Sequence, residues 1–267
     1  MANRKVLGRE GFRRGLAGAV ALMLGVALAS CSSGTTMSTS TTTSTATSTT
    51  STSTTSTSTT VPVPGLGSYL PLAPFASYQE VLSWEQSYRT GGHQPWHLDA
   101  GETALAFAAD LGFPQINKVV ATRSDSTGEH VSIGFYVGGP SKTTTSAAIV
   151  HEVRWGSGSD APWEVVGTDD TTFSLTVPAY GSTVTSPVEV GGRISGVDEN
   201  IAIEVRTASS SSPVGTFCCA PAGGVDSPWH EAVSFVAAQG SVLVIVARTG
   251  GHVAAVERIT VTGALAG

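Results

Sequence analysis

The chain has 267 residues, with 14 Lys or Arg against 20 Asp or Glu and a net charge of −6. Charged residues make up only 13% of it, Gly alone supplies 31, and beyond residue 30 it carries 9 basic against 19 acidic residues. A chain that acidic repels phosphate backbones and anionic headgroups, which excludes nucleic acid as a partner.

Arg4 to Arg14 form a basic start, and Gly15 to Ala29 form an uncharged, mostly apolar stretch. That length suits a secretory signal and falls short of the roughly 20 apolar residues of a membrane-spanning helix. The stretch closes on Leu28-Ala29-Ser30-Cys31, which resembles the lipobox of bacterial lipoproteins. The resemblance implies a diacylglycerol thioether on Cys31, cleavage between Ser30 and Cys31, and fatty acylation (palmitate) of the freed amine. Two or three acyl chains anchor a protein stably where one is marginal. Residues 1–30 are therefore expected as a signal peptide. The mature chain is expected on the extracytoplasmic face of the cell membrane, anchored at Cys31.

From Ser32 to Thr60, 26 of 29 residues are Ser or Thr. Such a tract has almost nothing apolar to bury and cannot offset the entropy of ordering, so residues 31–64 read as a disordered stalk. Its r.m.s. span is on the order of 30 Å if it is a flexible coil. Composition leaves open whether it is O-glycosylated or a bare spacer.

A first folded region is expected over residues 69–177. Ser77 with Glu80 has capping-box spacing, and Val81, Trp84 and Tyr88 follow on one helical face. Asp99 with Glu102 repeats the device before Ala104, Phe107, Ala108 and Leu111, and Gly112 and Pro114 stop that helix. The period then changes to two at Val131, Ile133, Phe135 and Val137. Ala147–Trp155 and Trp163–Val166 read as further strands, with Gly138-Gly139-Pro140 and Gly156-Ser157-Gly158 as turns. This predicts an α+β domain, helices packed on an antiparallel sheet. The order resembles cystatin-like and nuclear-transport-factor-like folds, a likeness that carries no function.

A second region, residues 178–263, shows short strands at Val188–Ile194, Ile201–Arg206, Ala232–Ala237, Val242–Ala247 and Ala255–Val261. Strands at this spacing predict an all-β, immunoglobulin-like sandwich. Pro178, Gly181, Val184, Ser186-Pro187-Val188, Val190 and Gly192, with Trp229 and Phe235 further on, are similar to the immunoglobulin-like domain of bacterial spore-germination proteins. The resemblance covers about a third of the chain. It implies an extracytoplasmic interaction module with no catalytic residues to carry over. Adjacent cysteines such as Cys218-Cys219 are not part of that pattern.

Cys218 and Cys219 leave four options open: a vicinal disulfide, two free thiols, a metal site with His230 as nearest histidine, or an intermolecular bridge. His93, His97 and Asp99 lie within seven residues. Pro95 interrupts the helix that a two-histidine site would need, so they read as a structured loop with Asp99 as a cap. Asp169-Asp170 and Asp198-Glu199 lack the alternating carboxylates and turn glycine of a calcium loop. No nucleophile elbow, phosphate loop or dinucleotide fingerprint is present. Trp84, Trp96, Trp155 and Trp163 read as core rather than groove.

The sequence thus predicts a lipid-anchored envelope protein acting as a non-catalytic binding module, without metal or cofactor. Its expected partners are the membrane, through Cys31, and an unidentified envelope protein or wall polymer. The enzyme alternative is a wall-modifying hydrolase using His97, Asp99, His151 or Glu152. His151 and Glu152 point to opposite faces of one strand, which argues against their acting together. A third class, a sensory subunit of a signalling complex, stays open.

Overall fold

The computed structural model describes residues 64–138, 143–208 and 210–267, the side chains of residues 197–199 excepted. The expected signal peptide, the expected lipidation at Cys31 and the expected Ser/Thr stalk lie outside the described residues. No helix among the described residues is long and apolar enough to cross a membrane.

Helix α1 (Tyr78–Gly91) starts where Ser77 Oγ accepts from the Glu80 N–H at 3.3 Å and the Glu80 carboxylate accepts from the Ala76 N–H at 2.8 Å. Gly92, at φ +67°, ends it and donates its N–H to the Tyr88 carbonyl. After a 3₁₀ turn at Pro95–Leu98, helix α2 (Ala100–Asp110) is capped by Asp99, whose carboxylate accepts from the Glu102 N–H at 2.9 Å. Four strands follow: β1 (Lys118–Asp125), β2 (Gly128–Tyr136), β3 (Thr144–Arg154) and β4 (Trp163–Thr168). They form one antiparallel sheet in chain order. Residues 70–75 cover the outer edge of β4, with Leu72 and Ala73 exchanging backbone hydrogen bonds with Val165.

A second sheet contains β5 (Thr183–Val184), β6 (Val188–Thr207), β7 (Gly215–Val233), β8 (Val242–Gly250) and β9 (Arg258–Ala266) in the order β5-β9-β8-β6-β7. Only the short β5–β9 pair is parallel. The β6–β7 hairpin is bulged around Gly196, and a bulge bends its strand and raises its twist. The hairpin accordingly curls back on itself. Val188, Val190 and Ile194 share one core with Ile201, Ile203 and Val205 of the same strand, closed by Phe173, Trp229 and Phe235.

The expected α+β domain followed by an immunoglobulin-like sandwich is not what forms. The chain is mostly β, with two sheets, and residues 178–263 build a single curled, almost barrel-like sheet in place of two facing ones. Strand β8 shows the reason. Leu243, Ile245 and Ala247 point into the curl. Val244 and Val246 point the other way, into a second core with Phe107 and Leu111 of α2, Val131 and Ile133 of β2, and Ile259 and Val261 of β9. A sandwich strand presents one polar face to water, whereas this one is covered on both faces. Its run Val-Leu-Val-Ile-Val-Ala is the unbroken apolar pattern that double burial requires.

Strands β1, β5 and β7 depart from the expected pattern, the first two with no counterpart in it. Strand β1 is exposed along nearly its whole length, so its residues do not alternate. Strand β7 carries Pro221 and Pro228 and lies at the sheet edge, where proline is tolerated because the missing N–H would face away from a partner. The expected strand Ala232–Ala237 overlaps only its last two residues. Cys218 and Cys219 sit exposed on this edge, joined by a vicinal disulfide.

Candidate functional site

The β1–β2 turn is organised by one carboxylate. Asp125 accepts from the Thr127 hydroxyl at 2.5 Å and the Thr127 N–H at 2.8 Å, the short-range closure typical of Asx turns. These two bonds, the hydroxyl's first, hold the Asp125 carboxyl well below the usual carboxylate range. The turn presents the Thr127 carbonyl to strand β3, where His151 Nε2 lies 3.1 Å away. A carbonyl only accepts, so Nε2 of His151 donates in this bond.

His130 on β2 is the direct register partner of His151, and their rings stack at 4.4 Å and 9°. The His130 ring is buried, and each of its nitrogens faces oxygen. Nδ1 lies 2.8 and 2.9 Å from the two carboxylate oxygens of Asp169. Nε2 lies 3.2 Å from Thr127 Oγ1 and 3.3 Å from Asp125 Oδ2. Asp169 follows β4 and is fixed by its N–H, which donates to the Ile149 carbonyl at 2.9 Å. Arg123 reaches both carboxylates, bonding Asp125 and approaching Asp169 to 3.4 Å. His130, His151 and Asp169 bring one ligand atom each to within 4.8 Å of one another.

Beside this cluster lies a cleft of about 380 Å³ lined by Tyr69, His151, Thr168, Asp170, Thr176 and Tyr180, among others. Its aromatic wall is rigid. The Tyr180 hydroxyl accepts from the Leu70 N–H at 2.7 Å and lies 3.4 Å from the Leu70 carbonyl, while Tyr69 packs edge-on to both His151 and Tyr180. A second cleft of similar volume lies beside α2, lined in part by Asp110 and Arg206. The Arg206 guanidinium there is bonded to Glu204, the Ser211 carbonyl and the Leu111 carbonyl at the end of α2, so its work is structural.

The residues singled out in the sequence fall elsewhere. His93 is exposed, His97 is enclosed by the rings of Trp96, Phe75 and Trp84, and Asp99 spends its carboxylate on the α2 cap. Glu152 is fully buried, and neither of its oxygens has a partner among the described residues. Of the four acid–base groups of the hydrolase reading, His151 alone lines the Tyr69–Tyr180 cleft. The tryptophans divide: Trp84 and Trp155 are buried, and Trp163 stacks under Arg154. The His130–His151–Asp169 cluster escaped the sequence reading because its members are 21 and 18 positions apart. The β2–β3 register that sets His130 opposite His151 carries a shift between Ile133 and Gly134, which alternation alone does not reveal.

A further buried acid lies on β4. Glu164 accepts from the Phe75 N–H at 3.3 Å through one oxygen, and the other has no partner among the described residues. Burial pushes its carboxyl well above the ordinary glutamate value, and Glu152 and Glu80 push it the same way against the Phe75 and Ala73 N–H groups. A carboxyl raised on folding stabilises the fold below its unfolded value and loses that contribution as pH climbs toward the folded one. Glu164→Gln should therefore raise the unfolding free energy by about 1–2 kcal/mol at pH 8 and change it little at pH 4, read from denaturant curves at both.

No family model, curated protein or solved structure matches the chain.

Proposed function

We propose that this chain is a lipid-anchored envelope protein that binds wall glycan without transforming it. The anchor rests on the Leu28–Cys31 pattern and the reach on the Ser/Thr tract. The observation that carries the ligand class is the Tyr69–Tyr180 cleft. Tyr69, Tyr180 and His151 line it together with the polar residues Thr176 and Asp170. A sugar ring has the matching surface, with apolar C–H faces and a rim of hydroxyls, and pockets of this size hold one or two such rings. The net negative charge beyond residue 30 also disfavours an anionic polymer and suits a neutral amino-sugar chain.

Calorimetric titration of the detergent-solubilised full chain with soluble N-acetylglucosamine-containing wall oligosaccharides, in EDTA, tests this. Saturable binding is expected, weakened at least about tenfold by Asp170→Ala and by the cleft-filling Thr176→Trp. Binding that neither variant alters, or no saturable binding at all, would remove the cleft as the glycan site.

A further inference from the structure

His130, His151 and Asp169 have the donor set, spacing and outer support of a metal centre. We propose that they bind one divalent transition-metal ion of the zinc class at the rim of the cleft. This goes beyond the glycan reading and does not depend on it.

Three observations converge. Two imidazoles and one carboxylate bring their ligand atoms within 4.8 Å of one another. Bonds of about 2.0–2.2 Å to zinc place tetrahedral ligand atoms some 3.3 Å apart, so closing the site takes side-chain shifts of about 1 Å together with a turn of the stacked rings that lets both in-plane lone pairs meet one ion. The outer support is already in place. His151 Nε2 donates to the Thr127 carbonyl, and His130 Nε2 faces Asp125 and Thr127 Oγ1. His130 is thereby held through Nε2 with Nδ1 on Asp169, and His151 is held through Nε2 by a backbone carbonyl, the kind of outer support that fixes a ligand's tautomer and raises its basicity. The Asp169 carboxylate is positioned by backbone pairing with β3 rather than by a mobile loop contact.

The exchange is simple. The ion takes the place of the proton between His130 Nδ1 and Asp169, the neutral ring keeps one proton on Nε2 toward Asp125 and Thr127, and any proton in excess of that one leaves to solvent. Arg123, largely exposed, now neutralises Asp125 and Asp169 and swings outward as the ion arrives. Two nitrogens and one oxygen favour zinc, cobalt or nickel over magnesium and calcium, which prefer all-oxygen sites. Three protein ligands leave a coordination position open, and one of the three residues, His151, also lines the cleft.

Tag-free full chain in detergent, stripped with EDTA and dialysed, would be titrated with Co²⁺ and Zn²⁺. Elemental analysis would give stoichiometry, and cobalt d–d absorption would report the ligand field. One ion per chain is expected, with a tetrahedral or five-coordinate cobalt spectrum. His151→Ala and Asp169→Asn should abolish the spectrum. Asp125→Asn, which leaves all three ligands in place, should weaken affinity about 10–100-fold, while His230→Ala on β7 should leave it unchanged. Circular dichroism and the thermal midpoint of each metal-free variant separate lost ligands from lost folding. No saturable uptake by the wild-type chain, or uptake that survives His151→Ala, would overturn the site and leave the trio as a hydrogen-bonded network. The glycan titration is run in EDTA, so either proposal can fail without the other.

Discussion

Trp155→Ala should cost about 3–5 kcal/mol of unfolding free energy, a large part of the roughly 5–15 kcal/mol that holds a typical domain folded. Trp155 is fully buried at the end of β3, in a cluster with Leu66, Phe75, Val81 and Trp84. Its indole N–H donates to the Pro64 carbonyl at 2.8 Å, and its ring lies 6.1 Å from that of Tyr78. The side chain thus ties the entry segment and α1 to the first sheet, and truncation removes both the packing and the tie. Trp155→Phe keeps most of the volume but loses the indole N–H, and should cost about half as much or less. Guanidinium unfolding of the three proteins gives the order. Limited proteolysis should show new cleavage between residues 64 and 78 in Trp155→Ala alone. A loss below about 1 kcal/mol, without new cleavage, would show that the segment is held by other contacts.

The second large effect is a loss of stability in mild acid, centred on His97. Its ring is 3% exposed, packed at 3.6 Å from the Trp96 ring, 4.8 Å from Phe75 and 5.1 Å from Trp84, and its Nδ1 has no partner among the described residues. Burial pushes the imidazole down to about 4. The unfolded chain takes up a proton near the ordinary value of about 6.5, which the folded chain refuses until much lower pH. The His97 contribution is whole above pH 6.5 and lost progressively between about 6.5 and 4. At about 1.4 kcal/mol per pH unit it amounts to about 3 kcal/mol. Glu164 slopes the other way, so His97→Phe is needed to isolate the imidazole. The variant should differ from wild type by about 3 kcal/mol more at pH 4 than at pH 7. Parallel pH curves for the two proteins would show that the ring is charged or solvated in the folded state.

Local chemistry was legible in the sequence and long-range covering was not. Ser77/Glu80 and Asp99/Glu102 start the two helices where their spacing says, because a cap is satisfied within four residues. Strands β2, β3 and β4 follow their alternating or apolar stretches for the same local reason. What covers a strand's second face depends on residues far away. Val244 and Val246 were readable as apolar, but their packing against α2 and β2 comes from contacts more than 100 positions distant. The same holds for the site. His130, His151 and Asp169 each look ordinary in context, and only the β2–β3 register and the Asp169–Ile149 hydrogen bond bring them together. The candidates that sequence proximity suggested, His93, His97 and Asp99, are dispersed by the Pro95 turn that made them neighbours.

Strand β9 has a consequence for how the chain is made. It lies between β5 and β8, and it sends Ile259 and Val261 to one core and Ala264 and Ala266 to the other. Neither core can close until residues 258–266 have left the ribosome, so folding waits on late-synthesised chain and on contacts of high sequence separation. Under the envelope reading proposed above, such a delay would be an advantage, because a chain is exported before it folds. The first sheet and the long β6–β7 hairpin can pair earlier, but the cores behind them stay open until the segment that closes both has been delivered.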